Sequence, residues 1–145
     1  MAFVIPALEN RPMEKGTGLG LAITGVGRFL KRRSLIVIIS DFLCLNWEHE
    51  MGDLCQRHDV IAIRIGSPLE KDIKQYGFYY LEDPETGYTI RSPFFSSFRS
   101  AWVRWHEERQ QLWESICHRS GAAVLDLSTA DDAASVLGTF FRRQA

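Results

Sequence analysis

The sequence predicts a three-layer, Rossmann-like α/β domain, with a parallel sheet of about three strands and a β-hairpin beside it. Three observations predict this. The first is Ser34-Leu35-Ile36-Val37-Ile38-Ile39-Ser40-Asp41, five consecutive branched aliphatics closed by an acid. A strand with one wet face would alternate apolar and polar, so this run reads as buried on both faces, inside a parallel sheet with helices on either side. The second is Asp59-Val60-Ile61-Ala62-Ile63-Arg64-Ile65, which follows a helical stretch and makes the order β-α-β explicit, with a right-handed crossover expected. The third is a further apolar run from Ala122 to Leu127, again set between helical patterns.

The elements follow in order. Residues 1–16 hold Pro6, Pro12 and Gly16 and read as an irregular lead-in. From Leu19 to about Leu30 the apolar positions Leu19, Ala22, Ile23, Val26, Phe29 and Leu30 recur at helical spacing. Lys31, Arg32 and Arg33 then suit the negative end of a helix dipole. After the 34–40 strand, Asn46 offers an N-cap for a helix with Glu48 and Glu50 in its first turn. Trp47, Met51, Leu54 and Cys55 form the inner face of that helix. Residues 66–77 read as a loop. Phe78 to Glu82 and Tyr88 to Ser92 flank Asp83-Pro84-Glu85-Thr86-Gly87, a hairpin insertion over 78–92 with turn chemistry in place. A long helix is expected over roughly 97–119, with Phe98, Ala101, Trp102, Trp105, Leu112, Trp113 and Ile116 on one face and Gly121 as its stop. A last helix over 131–143 packs through Val136, Leu137, Phe140 and Phe141.

Composition narrows the function. A chain of 145 residues suits one domain with a real core. Seventeen basic against eighteen acidic residues leave a net charge of −1, without the basic stripe that nucleic acid demands. Cys44, Cys55 and Cys117 share no CxxC spacing, so reduced and mostly buried thiols in a cytoplasmic protein are expected. No apolar run approaches the length of about 20 residues needed to span a bilayer, and the start is too short for a signal peptide, so a soluble chain without membrane insertion is expected.

Motifs give few chemical candidates. Gly16-Thr17-Gly18-Leu19-Gly20-Leu21 resembles the glycine-rich ATP lid of sensor histidine kinases, but the upstream motifs of that fold have no room before residue 16. It is not a dinucleotide fingerprint either, because position 21 is Leu where Gly is required. Glycines shaping a loop-to-helix junction explain the string. Asp41 lies where open α/β sheets bind ligands, beyond the carboxyl end of a strand. A 12-residue helix of about 18 Å running into a strand of about 23 Å returns the chain, so Thr17 and Asp41 should meet at one sheet edge. A hydroxyl and a carboxylate there could share a hard cation such as Mg²⁺, though two ligands are too few for tight binding. Thr17 capping the helix and Asp41 capping a loop is the simpler expectation. His49, His58, His106 and His118 fall at no metal-ligand spacing and are expected in solvated or capping roles. No catalytic triad or paired-carboxylate arrangement is present to nominate.

Several strings in order carry a family resemblance. They are Lys15-Gly16-Thr17, Leu30-Lys31-Arg32-Arg33-Ser34 running into Ile39-Ser40-Asp41-Phe42, and Arg57-His58-Asp59-Val60-Ile61-Ala62. Leu81-Glu82-Asp83-Pro84-Glu85-Thr86-Gly87 and Phe140-Phe141-Arg142-Arg143 complete them. The chain resembles the bacterial domain-of-unknown-function family fifty-eight, whose members carry a von Willebrand factor A-like domain and accompany MoxR-type AAA ATPases. The resemblance implies a metal-ion-dependent adhesion site in which Thr17 matches the threonine and Asp41 the aspartate. The Asp-x-Ser-x-Ser loop of that site is expected upstream and is not in this sequence, which leaves the metal site incomplete and Mg²⁺ weak. Residues 1–145 then read as a single partial domain, the C-terminal half of a truncated A-like fold.

The implied function is a non-enzymatic protein-interaction module served by a MoxR-type ATPase, with no resident cofactor. The alternative is a metal- or nucleotide-dependent enzyme at the Gly16–Gly20 loop and Asp41. A missing half-sheet adds one expectation. Baring about 400 Å² of apolar surface beside the 34–40 strand would cost on the order of 10 kcal/mol, so a homodimer covering that edge is expected.

Overall fold

The computed structural model describes residues 18–71, 77–82, 89–94 and 96–144. Its elements, in chain order, are α1 (Leu19–Phe29), β1 (Leu35–Ser40), α2 (Glu48–Cys55), β2 (Asp59–Gly66) and α3 (Pro68–Lys71). They continue with β3 (Gly77–Glu82), β4 (Thr89–Phe94), α4 (Ser96–Ser120), β5 (Ala123–Ser128) and α5 (Ala133–Gln144). The predicted α/β architecture holds. β1, β2 and β5 form one parallel sheet in the order β1-β2-β5, and β3 and β4 pair as a separate antiparallel hairpin. The lead-in and the hairpin turn at 83–88 lie outside the described residues.

Parallel register sorts the side chains into two faces. Leu35 stands opposite Asp59 and Ser40 opposite Arg64, while Ile61 pairs with Ala123 and Gly66 with Ser128. Ile36, Ile38, Val60, Ala62 and Val124 face one layer, where Leu19, Ile23, Met51, Leu54, Trp113, Ile116 and Cys117 build the larger core from α1, α2 and α4. Ile61, Ile63 and Leu127 face the other layer, covered by Val136, Leu137 and Phe140 of α5. These are the three expected layers.

Helix ends follow local chemistry. α4 stops in a Schellman motif: Gly121, with φ +87°, donates its N–H to the His118 carbonyl at 3.0 Å, and Ala122 donates to Cys117 at 2.9 Å. The stretch 66–77, expected to be a loop, contains the one-turn α3. Ser67-Pro68-Leu69-Glu70 is a capping box in which Glu70 Oε1 accepts the Ser67 N–H at 2.8 Å and Ser67 Oγ accepts from Leu69 at 3.3 Å. Asn46 is not the N-cap of α2; that position is Trp47, and Asn46 sits one residue earlier at φ +61°.

Several expectations about faces are corrected. β1 is an edge strand, paired among the described residues with β2 alone, and its residues alternate exposed and half-buried rather than being covered twice. The reason is that α5 rests on β2 and β5 and does not reach the β1 row. Ala101, Trp105 and Leu112 of α4 are exposed, because the helix turns His106, Trp113, Ile116 and Cys117 inward instead. His58 and His106 are buried, not solvated. Val26 and Phe29 of α1 and Phe141 of α5 also lie on the outside.

Candidate functional site

The larger-core face of the sheet ends in a polar row. Ser40, Arg64 and Asp126 are in register across β1, β2 and β5, one step beyond the apolar row of Ile38, Ala62 and Val124. Arg64 is buried, and burial would drive its charge off were it not paired on two sides. Its Nη1 donates to Asp126 Oδ1 at 2.8 Å and its Nη2 to Glu70 Oε2. These partners hold the guanidinium pKa above its ordinary value. Asp126 also accepts from Gln110 Nε2 at 3.3 Å and faces Lys71 Nζ at 3.6 Å. Glu70 thereby serves twice, once on Arg64 and once closing the capping box.

His106 lies against this network. Its Nδ1 is 3.5 Å from Glu70 Oε2, too far for a good hydrogen bond, and neither ring nitrogen has a partner among the described residues. Burial pushes its pKa down, Glu70 pulls it back up and Arg64 depresses it further. Trp102, tilted, and Trp105, edge-on, flank the ring at centroid distances of 4.6 and 4.7 Å. Arg109, one turn on, donates Nη2 to the Leu43 carbonyl at 3.1 Å and so ties α4 to the loop after β1.

That loop begins with Asp41, which is exposed. Asp41 Oδ1 accepts the Leu43 N–H at 3.1 Å, and Ser40 Oγ accepts the Phe42 N–H at 3.1 Å, so both side chains shape the turn. Phe42 itself adopts φ +54°, costly for a bulky residue. It is held there by tilted ring contacts with Trp47 at 5.2 Å and Trp113 at 5.6 Å. Thr17 lies outside the described residues, so the structure does not place it beside Asp41. The start of α1 does come to this edge, since a Cβ on Gly20 would lie 2.5 Å from the Asn46 carbonyl oxygen. Close approach to that loop accounts for Gly20 without a ligand. Among the described residues no group of three His, Cys, Asp or Glu could hold a metal ion. Asp41 alone does not fit a cation that needs about six oxygen ligands.

The arrangement is therefore a closed clamp on Arg64. Both acids on Arg64 are occupied, and the buried Cys117 thiol is pushed up to about 12 by burial. What stays open is β1. Leu35, Val37 and Ile39 are 62%, 43% and 64% exposed, a continuous apolar row on the α5 side of the sheet. Sequence reasoning missed Arg64 and Glu70, although an arginine inside an all-apolar strand and the Ser-x-x-Glu spacing after it were the available signals. No helix among the described residues is long and apolar enough to cross a membrane.

The family model described as Protein of unknown function DUF58 matches residues 1–111. An uncharacterized protein of Mycobacterium avium is 31% identical over 129 residues, which cover 88% of this chain and 76% of that protein. Uncharacterized proteins of Mycobacterium bovis and Mycobacterium tuberculosis are each 28% identical over 133 residues, covering 91% of this chain. The chain spans only 42% of the length of those two relatives. Among solved structures, the crystal structure of conserved hypothetical protein BatB from Bacteroides thetaiotaomicron aligns over 95% of this chain and 62% of its own. Its TM-score is 0.47 and its identity 15%.

Proposed function

The chain belongs to the family of proteins of unknown function DUF58, and from that premise we propose that it is a non-enzymatic protein-interaction module of the von Willebrand factor A-like kind. Its working surface is the open flank of β1. One observation carries the reading: Leu35, Val37 and Ile39 stand out of the fold while Ile36 and Ile38 pack within it. Among the described residues β1 has a ladder partner on one side only. Natural edge strands are blunted by lysine, proline or bulges, and none of the six residues of β1 is charged or proline. Strand addition along such an edge supplies main-chain hydrogen bonds, with alternate side chains giving specificity.

The occupant is a second copy of this chain. Two β1 strands paired antiparallel about a two-fold axis set the same apolar row against itself, as an isologous interface requires. A MoxR-type ATPase as the cellular partner belongs to the same reading through the family. Multi-angle light scattering at micromolar concentration tests it. Twice the chain mass is expected, falling to the chain mass in Ile39→Lys with an unchanged circular dichroism spectrum. A folded monomer of the unaltered chain would overturn it. Saturable heat with Mg²⁺ and ATP in calorimetry would instead support the enzyme at the Gly16–Gly20 loop and Asp41.

A further inference from the structure

We propose that the amino-terminal end of the sheet, remote from the Asp41 loop, holds a binding site for a ligand that carries clustered phosphate groups. An open cleft of about 600 Å³ lies between the carboxyl end of α1 and the turn joining α2 to β2. Arg28, Lys31, Arg32, Arg33, Arg57 and His58 line it. Of its five fixed cations, one is neutralised: Arg33 donates Nη2 to Asp59 Oδ1 at 2.7 Å and Nε to Oδ2 at 3.2 Å. Arg57 bonds two backbone carbonyls, Gly27 at 3.2 Å and Asp53 at 3.4 Å. Those bonds aim its fork and leave its charge unspent. Arg28, Lys31 and Arg32 form no ion pair among the described residues.

The ordinary explanation for such a cluster is the helix terminus. The carboxyl end of α1 offers about half a negative charge, against four uncompensated positive ones, so the dipole accounts for a small part of them. The second observation is His58. The residue is 4% exposed, both ring nitrogens lack a partner among the described residues, and it lines the same cleft. Both nitrogens are closed off from solvent as well as unpaired, so a ligand oxygen would meet a ring N–H only with a small shift of the cleft wall. Guanidinium forks match phosphate oxygens bidentately, and several cations in one concave site favour a polyvalent anion over a carboxylate. The cluster is one compact cleft on a chain of net charge −1, which fits a small multiply phosphorylated group better than a polymer. A soluble oligophosphate and a phospholipid headgroup share this chemistry.

Calorimetry with inorganic tripolyphosphate at low salt, and co-sedimentation with phosphatidylcholine vesicles containing cardiolipin, separate the two sources. The double variant Arg28→Gln/Arg32→Gln removes two solvent-facing cations. Its control is Arg142→Gln/Arg143→Gln, at the exposed end of α5. The expected result is saturable binding that weakens about tenfold or more in the first variant, is unchanged in the second, and fades with added salt. Vesicle binding alone, with the same variant dependence, keeps the site and assigns the lipid source. Silence with both probes, or equal losses in the two variants, overturns the proposal.

Discussion

Arg64 shows how a charge inside an apolar strand is made tolerable. Its two carboxylates come from Glu70, six residues on, and Asp126, sixty-two residues on. Arg64→Ala would leave Glu70 without its cation and Asp126 with only the solvent-facing Lys71 at 3.6 Å, and a loss of about 3–5 kcal/mol is expected in urea unfolding. His106 adds a pH dependence with a definite sign. Its folded pKa is depressed below the ordinary 6.5, chiefly by burial, with Glu70 and Arg64 as the charged groups facing it. The unfolded chain therefore takes up the proton first as pH falls. The contribution of His106 is full above about pH 6.5 and is lost as pH drops from there through the lower folded value. Denaturation midpoints from pH 8 to pH 5 should fall more steeply in the unaltered protein than in His106→Gln. At Cys117, with a pKa of about 12, the native thiol should resist a thiol reagent until the chain is unfolded, whereupon all three cysteines react.

At the scale of elements, α1 offers a paired test of why glycine occupies two of its positions. A Cβ at Gly20 would meet the Asn46 carbonyl oxygen at 2.5 Å, whereas one at Gly25 meets nothing within 4 Å. Gly20→Ala should lower stability by about 1–3 kcal/mol. Gly25→Ala should raise it by about 0.5–1 kcal/mol through helix propensity alone. Opposite shifts in thermal melting would show that the glycine string serves packing against the 41–47 loop. The helices and strands were legible in the sequence because apolar periodicity is a local property: Leu19–Phe29, Asp59–Gly66 and Ala123–Ser128 fall within a residue or two of where spacing put them. Which face each one buries was less legible, because that depends on partners far along the chain. Trp105 looks like core by helical spacing, yet α4 points His106 toward Glu70 and Arg64 and Trp113 into the apolar core. α3 escaped notice because a single turn has no periodicity, though its capping box was written in Ser67 and Glu70.

At the scale of the whole molecule, the parallel sheet is asymmetric. β2 is buried from end to end apart from its first residue and Ile65, while β1 keeps half its side chains in solvent. Among the described residues β1 is the edge of the sheet; Thr17 and the lead-in that could neighbour it lie outside them. The same hexapeptide has a consequence for handling the protein. Leu-Ile-Val-Ile-Ile-Ser is uncharged, rich in branched aliphatics and free of proline and glycine, the composition from which stacked cross-β zippers are made. Partial unfolding at high concentration should therefore seed fibrils from this segment, with thioflavin fluorescence rising after a lag. Ile39→Lys should lengthen or abolish that lag-phase growth by placing a charge in every layer of the stack.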